Sequence, residues 1–128
     1  MSEPVWLRHE VVLAIHRRQL AEHGGAEGIR DQGLFLSAMQ KPLDLYFYGS
    51  PPPDLFALAA AYGFGLARNH PFIDCNKRVA LIAMRLFLRL NGVSLGASAE
   101  EKYRIIMRLA ANEVGQDELA EWLRRHCI

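Results

Sequence analysis

The segment from Leu55 to Ala67 constrains the fold most, because it is apolar along its whole length and is bounded by Asp54 and Arg68. At 13 residues it is too short to cross a bilayer. A helix that is apolar all round has to be covered on every side by other elements. Small residues recur at steps of four within it, which favours the close approach of a neighbouring helix. We therefore predict a central helix over about residues 54–69.

The rest of the chain also has helical periodicity, with no sustained alternation that would indicate a strand. The Ser98-Ala99-Glu100-Glu101 run is a capping box, which marks the start of a helix. With the central helix, the periodic segments make six predicted helices, the other five covering about residues 7–23, 33–40, 75–90, 98–113 and 116–127. The sequence thus predicts an all-α, compact single-domain bundle of about six helices over residues 1–128.

Prolines set the expected end of the second helix and a loop after it. Pro42 should end that helix, because a proline disfavours helical geometry at the residue before it. Three consecutive prolines, Pro51 to Pro53, cannot lie inside a helix. We therefore expect residues 46–53 to form a surface loop, and the segment Tyr46–Tyr48 is a candidate flap over a groove.

Charge and cysteine content exclude several classes of function. The 15 basic and 14 acidic residues give a net charge of +1, which provides no bulk attraction for nucleic acid. Two cysteines do not make a disulfide framework, and the start of the chain lacks the pattern of a signal peptide. We expect a cytoplasmic protein with no direct DNA binding and no membrane association.

The residues from Arg68 to Arg78 carry the chemistry. Pro71 should end the central helix, and a new helix should begin near Cys75. The N-terminus of a helix exposes unpaired N–H groups at the positive end of the helix dipole, which favours an anion. Lys77 and Arg78 repel that dipole, so they are unfavourable for stability alone. A bound polyphosphate would reverse the penalty.

Side chains beside this anion site fit phosphoryl or nucleotidyl transfer. His70 is of the residue type that most often serves as a general base near neutral pH. Asp74 could hold Mg²⁺ against phosphate oxygens. Asn76 can donate and accept hydrogen bonds, and the small Cys75 would let a phosphate approach the backbone. Positioning and charge neutralisation supply most of the catalysis in such reactions.

Each of these residues also has a purely structural interpretation. Asp74 could cap the fourth helix. Arg78 shares a stripe with Arg85 and Arg89 that could be an ordinary polar face. The histidine could be a hydrogen-bonded loop residue, the cysteine a small buried residue, and the phenylalanine between them a core anchor. Lys77 has no comparable structural explanation, so the combination favours a functional site.

The run from His70 to Arg78, His-Pro-Phe-Ile-Asp-Cys-Asn-Lys-Arg, resembles the signature of the Fic/Doc family, His-Pro-Phe-x-Asp/Glu-Gly-Asn-Gly/Lys-Arg. Two flanking segments, at residues 28–34 and 87–92, resemble the elements that precede and follow this signature in the family. Lys77 and the short chain resemble the death-on-curing (Doc) toxins in particular. Cys75 departs from the family, which has Gly or Ala at that position.

The resemblance implies a toxin with a compact helical fold that is an ATP- and Mg²⁺-dependent kinase of a translation factor, elongation factor Tu. Larger Fic enzymes transfer AMP instead, which is the first alternative. The resemblance implies that His70 is the base on the target hydroxyl and Asp74 the metal-binding carboxylate. The phosphate-binding residues that it implies are the backbone at Cys75 and the side chains of Asn76, Lys77 and Arg78, with Arg68 as a weaker candidate.

The resemblance also implies a partner, an antitoxin of the prevent-host-death type. Many family members carry an inhibitory Ser/Thr-x-x-x-Glu helix, whereas this chain has no threonine and no serine with Glu four residues later. A non-catalytic helical module that binds an antitoxin is the alternative from another class of function. His9, His16 and His23 recur every seven residues, too far apart along a helix to bind one metal ion.

Overall fold

The computed structural model describes residues 2–128 of the chain. Within this range there are six helices: α1 His9–His23, α2 Gln32–Tyr48, α3 Leu55–Asn69, α4 Asn76–Leu90, α5 Ala99–Ala110 and α6 Gln116–His126. The prediction of an all-α fold with six helices is confirmed, and all but α2 match their predicted ranges closely. None of the helices in residues 2–128 combines the length and hydropathy needed to cross a membrane.

Helix α3 lies at the centre, as its apolar sequence predicts. It is buried over most of its length and packs against α2, α4, α5 and α6. A Cβ atom on Gly63 would collide with the side chain of Met84 in α4. One on Gly65 would lie 3.2 Å from the Cα of Ala38 in α2. The two glycines therefore permit the close approach of both neighbouring helices, which confirms the predicted reason for their presence.

Helix α2 continues through Pro42 to Tyr48, so the predicted end before Pro42 is wrong. A proline inside a helix costs about 3 kcal/mol, because it lacks an N–H and crowds the preceding turn. Burial offsets this cost, since Phe35, Met39 and Pro42 are all buried where α2 packs on α3. The local effect of Pro42 predicts that the helix ends there, but the packing of α2 against α3 stabilises the helix beyond the proline.

The predicted loop over residues 46–53 is likewise wrong for its first part, because Tyr46–Tyr48 is the last turn of α2. The rings of Tyr46 and Phe47 pack against Trp6, with centroids 5.4 and 6.4 Å away. Tyr48 is exposed. The irregular segment comprises residues 49–54, and the candidate flap is the end of a helix rather than a loop.

Side-chain hydrogen bonds cap the starts of α3 and α5, as that of Asp31 does at α2. The carboxylate of Asp54 accepts a hydrogen bond from the N–H of Ala57 at 2.8 Å, and it also pairs with Arg124 of α6 at 2.8 Å. The hydrogen bond from Arg124 lowers the pKa of Asp54. Ser98 and Glu101 make both bonds of the predicted capping box at α5.

Candidate active site

The loop between α3 and α4 begins and ends on a strained residue. His70 has a φ of 53° and Cys75 a φ of 66°, both in the left-handed region. This conformation costs a residue with a Cβ roughly 1–2 kcal/mol. Such strain persists only where the surroundings hold the chain in place, and it is concentrated at functional sites. The left-handed backbone also explains why glycine suits the position of Cys75 in the signature that this segment resembles.

Asn76, the first residue of α4, holds the loop together from inside. Its Oδ1 accepts from the N–H of Phe72 at 2.9 Å, and its Nδ2 donates to the carbonyl of Phe72 at 2.9 Å. Asn76 is 3% exposed and Phe72 is fully buried, so the interpretation of Phe72 as a core anchor is confirmed. Each polar atom of the amide makes one hydrogen bond within the loop, and the contact of Asn76 with an anion stays a prediction.

The segment at residues 28–31 supports the loop from the other side. The N–H groups of Arg30 and Asp31 donate to the carbonyl of Pro71 at 2.7 and 3.1 Å, and the N–H of Ile73 donates to the carbonyl of Gly28 at 3.1 Å. These bonds form a short antiparallel bridge. The resemblance of residues 28–34 to the family's upstream element therefore has a physical basis, since residues 28–31 are the loop's backbone partner.

The side chain of Arg30 caps the end of α3, a role that the sequence analysis missed. Its Nε donates to the carbonyl of His70 at 2.7 Å, and its terminal nitrogen donates to the carbonyl of Asn69 at 2.9 Å. The last carbonyls of any helix need donors from outside it, which is the signal that could have indicated such a residue. Arg30 thus fixes the backbone that carries His70.

The start of α4 is cationic and has no counterion within residues 2–128. Lys77 and Arg78 are exposed, and neither forms an ion pair with any residue in the range 2–128. The Nζ of Lys77 lies 3.8 Å from the sulfur of Met107, which is only a weak acceptor. The first-turn N–H groups face the same end of the helix. This arrangement has the chemistry of an anion site.

Asp74 does not cap α4, so the structural interpretation of this residue is wrong. Cys75 occupies the N-cap position and makes no side-chain cap bond. The Oδ1 of Asp74 accepts instead from the N–H of Cys75 at 2.8 Å, and the side chain is exposed. Cys75 is half-buried rather than buried, with its sulfur 3.9 Å from the carbonyl of Gly24.

The donor set suits a magnesium ion that arrives with a nucleotide. Within residues 2–128, no group of three or more His, Cys, Asp and Glu side chains could enclose a metal ion. Mg²⁺ is usually held by one or two carboxylates together with substrate phosphates and waters. The exposed carboxylate of Asp74, next to the anion site, fits that mode of binding. It does not fit a metal cage made by the protein alone.

The predicted site residues therefore lie at two ends of one short loop. His70 is exposed at the end of α3, and Asp74, Lys77 and Arg78 are exposed at the start of α4. Arg68 lies two residues before His70 in α3, with its guanidinium carbon 5.0 Å from the centroid of the Phe64 ring. Its contact with phosphate or target stays a prediction.

A buried histidine of α1 also touches this loop, and the sequence analysis missed its role. His16 is 4% exposed, its ring stacks on Phe72 with centroids 4.0 Å apart, and its Nε2 lies 3.1 Å from the carbonyl of Asp74. Burial lowers the pKa of His16. The available signal was its position four residues after Val12 on the buried face of α1.

Comparisons of the sequence with known proteins identify relatives of this chain. The sequence model described as the Fic/DOC family matches residues 6–88. The chain is similar to "Protein kinase doc" of Escherichia phage P1, with 34% identity over 122 residues that cover 93% of this chain and 95% of that protein. It is also similar to "Toxin Doc" of Mycolicibacterium smegmatis, with 42% identity over 74 residues, which is 58% of this chain and 57% of that protein.

Proposed function

Because this chain belongs to the Fic/DOC family, we propose that it is the toxin of a toxin–antitoxin system and an ATP- and Mg²⁺-dependent protein kinase. It transfers the γ-phosphate to a hydroxyl of a translation factor, elongation factor Tu, and so arrests translation in the cytoplasm. The name of the phage relative, which is similar over almost the whole chain, supports the kinase, and the name of the mycobacterial relative supports the toxin.

One observation carries this proposal: the strained loop presents an exposed histidine and an exposed carboxylate beside a cationic helix start whose Lys77 and Arg78 form no ion pair among residues 2–128. Left-handed residues other than glycine are concentrated at functional sites, and lysine and arginine in the first turn of a helix are unfavourable for stability. A bound polyphosphate compensates for the unfavourable charges, because it is attracted by the first-turn N–H groups and by both side chains.

In the proposed reaction, the ring of His70 takes the proton of the target hydroxyl. The hydroxyl oxygen forms a bond to the γ-phosphorus while the bond from that phosphorus to the bridging oxygen breaks, and ADP leaves with the electron pair. Lys77, Arg78 and the first-turn N–H groups of α4 hold the phosphates. Asp74 would hold Mg²⁺, which, when bound, neutralises charge on the phosphate oxygens.

The AMP-transferring alternative uses the same residues with the nucleotide reversed, so that the α-phosphate faces His70. Lys77 at the position that is Gly or Lys in the family signature favours the kinase. The non-catalytic module is less favoured, because every polar residue of the signature is present, and the one departure, Cys75, replaces a glycine.

Labelled ATP distinguishes these possibilities. Elongation factor Tu is incubated with the protein, Mg²⁺ and ATP that carries the label at either the γ- or the α-phosphate. Transfer of γ-label alone supports the kinase, whereas transfer of α-label establishes AMP transfer. Arg78→Ala should reduce transfer strongly, whereas Arg85→Ala, a change of the same kind on the same exposed stripe of α4, should not. Equal loss in both variants would contradict a phosphate-binding role for Arg78.

The proposed partner is an antitoxin of the prevent-host-death type, and no role in direct DNA binding is proposed. His70→Ala separates catalysis from partner binding, because it removes only a side chain that is exposed at the loop. The variant should lose toxicity and still bind the antitoxin. Toxicity that survives this change would favour the non-catalytic module.

A further inference from the structure

His16 is a buried titratable residue that the proposed chemistry does not use. It lies in the middle of α1, is 4% exposed, and reaches the active-site loop across the helix interface. A polar side chain in such a place needs a hydrogen-bond partner, because an unpaired one is costly to bury. Its partner is the backbone carbonyl of Asp74 at 3.1 Å.

The chemistry of this contact fixes the protonation of the ring. A carbonyl oxygen can only accept, so the Nε2 of His16 must carry the proton that it donates to Asp74. The ring also stacks on Phe72, with a centroid distance of 4.0 Å and an interplanar angle of 13°. Because Phe72 is fully buried and held by Asn76, the stack gives His16 a fixed orientation toward Asp74.

The chain that follows α1 completes this support. Gly25 lies so close to Asp74 that a Cβ atom there would be 2.9 Å from the carboxylate Oδ2. The N–H of Cys75 holds the other carboxylate oxygen at 2.8 Å. The main chain of Asp74 is thus held by His16, and its carboxylate is confined between Cys75 and Gly25.

We propose that His16 is a positioning residue, whose hydrogen bond to the backbone of Asp74 holds that carboxylate where it binds the magnesium–nucleotide complex. The metal-binding part of this inference rests on the proposed function. Residues that orient a metal ligand typically change metal affinity by about 10–100-fold when they are mutated. His16 acts through Asp74 and touches neither nucleotide nor target.

Two variants separate the hydrogen bond from the stacked ring. His16→Phe keeps an aromatic ring on Phe72 and removes the donor. His16→Gln loses the ring and keeps an N–H group at a similar reach. Ile105→Val in α5 is the control for a mild loss of packing away from the loop, since Ile105 is 4% exposed in the core.

Amide hydrogen exchange of the full chain without nucleotide tests the positioning directly. His16→Phe should speed exchange in residues 70–76 about five- to tenfold, as expected for one lost buried hydrogen bond. His16→Gln and Ile105→Val should leave these amides close to the wild-type rate. Unchanged exchange in His16→Phe, or equally fast exchange in His16→Gln, would overturn the inference.

Binding of a non-hydrolysable ATP analogue at a series of Mg²⁺ concentrations tests the consequence. His16→Phe should raise the Mg²⁺ concentration for half-maximal binding about tenfold or more, and His16→Gln should raise it less. An unchanged Mg²⁺ dependence in His16→Phe would overturn the role toward the metal. If the wild-type chain binds no magnesium–nucleotide, the proposed function and the metal role both fail, whereas the exchange result still decides whether His16 holds the loop.

Discussion

Removal of the Asn76 side chain should destabilise the fold more than its small size suggests. The amide makes two hydrogen bonds of 2.9 Å to the backbone of Phe72 from a position that is 3% exposed. Asn76→Ala leaves a buried N–H and a buried carbonyl without partners, and each such group costs about 1–3 kcal/mol. Allowing for partial access of water to the space left behind, we expect a loss of about 2–4 kcal/mol in the free energy of unfolding.

Asn91→Ala is the matched control for this prediction. Asn91 also binds a backbone residue in both directions, since it accepts from the N–H of Val5 at 2.8 Å and donates to the carbonyl of Val5 at 3.0 Å. Its Nδ2 donates in addition to the carbonyl of Phe87 at 2.8 Å. Asn91 is only half-buried, so water can replace the lost partners, and the expected loss is about 1 kcal/mol.

Urea unfolding followed by circular dichroism measures both losses under identical conditions. The expected result is a lower midpoint for Asn76→Ala than for Asn91→Ala, with similar slopes for the two variants. A loss below about 0.5 kcal/mol for Asn76→Ala would contradict this reasoning, because the burial of unpaired backbone groups would then carry no cost.

Three further predictions concern backbone strain, pH and packing. Cys75→Gly should raise the free energy of unfolding by about 0.5–1 kcal/mol, because relief of the left-handed strain exceeds the added freedom of the unfolded chain. Cys75→Ala keeps the strain and is the control in thermal unfolding. Equal melting temperatures for the two variants would refute the prediction. Asp54→Asn keeps the helix cap and loses the charge that Arg124 stabilises, so it should cost about 0.2–1 kcal/mol at pH 7. The pKa of Asp54 is lowered in the folded state, so the difference in stability between the wild type and Asp54→Asn is fully present above the usual pKa of aspartate. It should disappear as the pH falls through the lowered pKa. A difference in stability that persisted in acid would contradict the stabilising pair of Asp54 with Arg124. Gly63→Ala should destabilise the protein by about 1–2 kcal/mol in urea unfolding, because the new methyl collides with the buried Met84, whereas a gain in stability would show that α3 and α4 can separate freely.

The sequence was sufficient for five of the six helices because their signals are local. The apolar face of α3 and the capping box of α5 are contained in short runs of residues. Helix α2 was predicted too short, because Pro42 breaks the local rule for helices while its burial against α3 depends on residues far away in the chain. A rule about one residue includes the cost of a proline in a helix but not the stabilisation from packing α2 against α3, so it cannot compare the two.

The same distinction applies to the candidate site. Its exposed residues could be identified from the sequence because they lie within a single run of nine positions, from His70 to Arg78. His16 and Arg30 could not, since their contacts to that run join residues 58 and 40 positions apart in the chain. Nothing next to either residue in the sequence indicates its partner. Their contribution emerges only once α1 and the segment at residues 28–31 are placed against the loop.

Intact-mass analysis of elongation factor Tu, after incubation with this protein, ATP and Mg²⁺, is the most direct test of the proposed kinase activity. We expect the factor to gain the mass of one phosphoryl group. His70→Ala should reduce the rate of this gain by about 10²–10⁴-fold, the effect of losing a general base. A gain of the mass of one AMP group would establish the reversed nucleotide, and an unchanged factor would contradict the proposed target. Phosphorylation at an undiminished rate by His70→Ala would contradict the catalytic role of the loop.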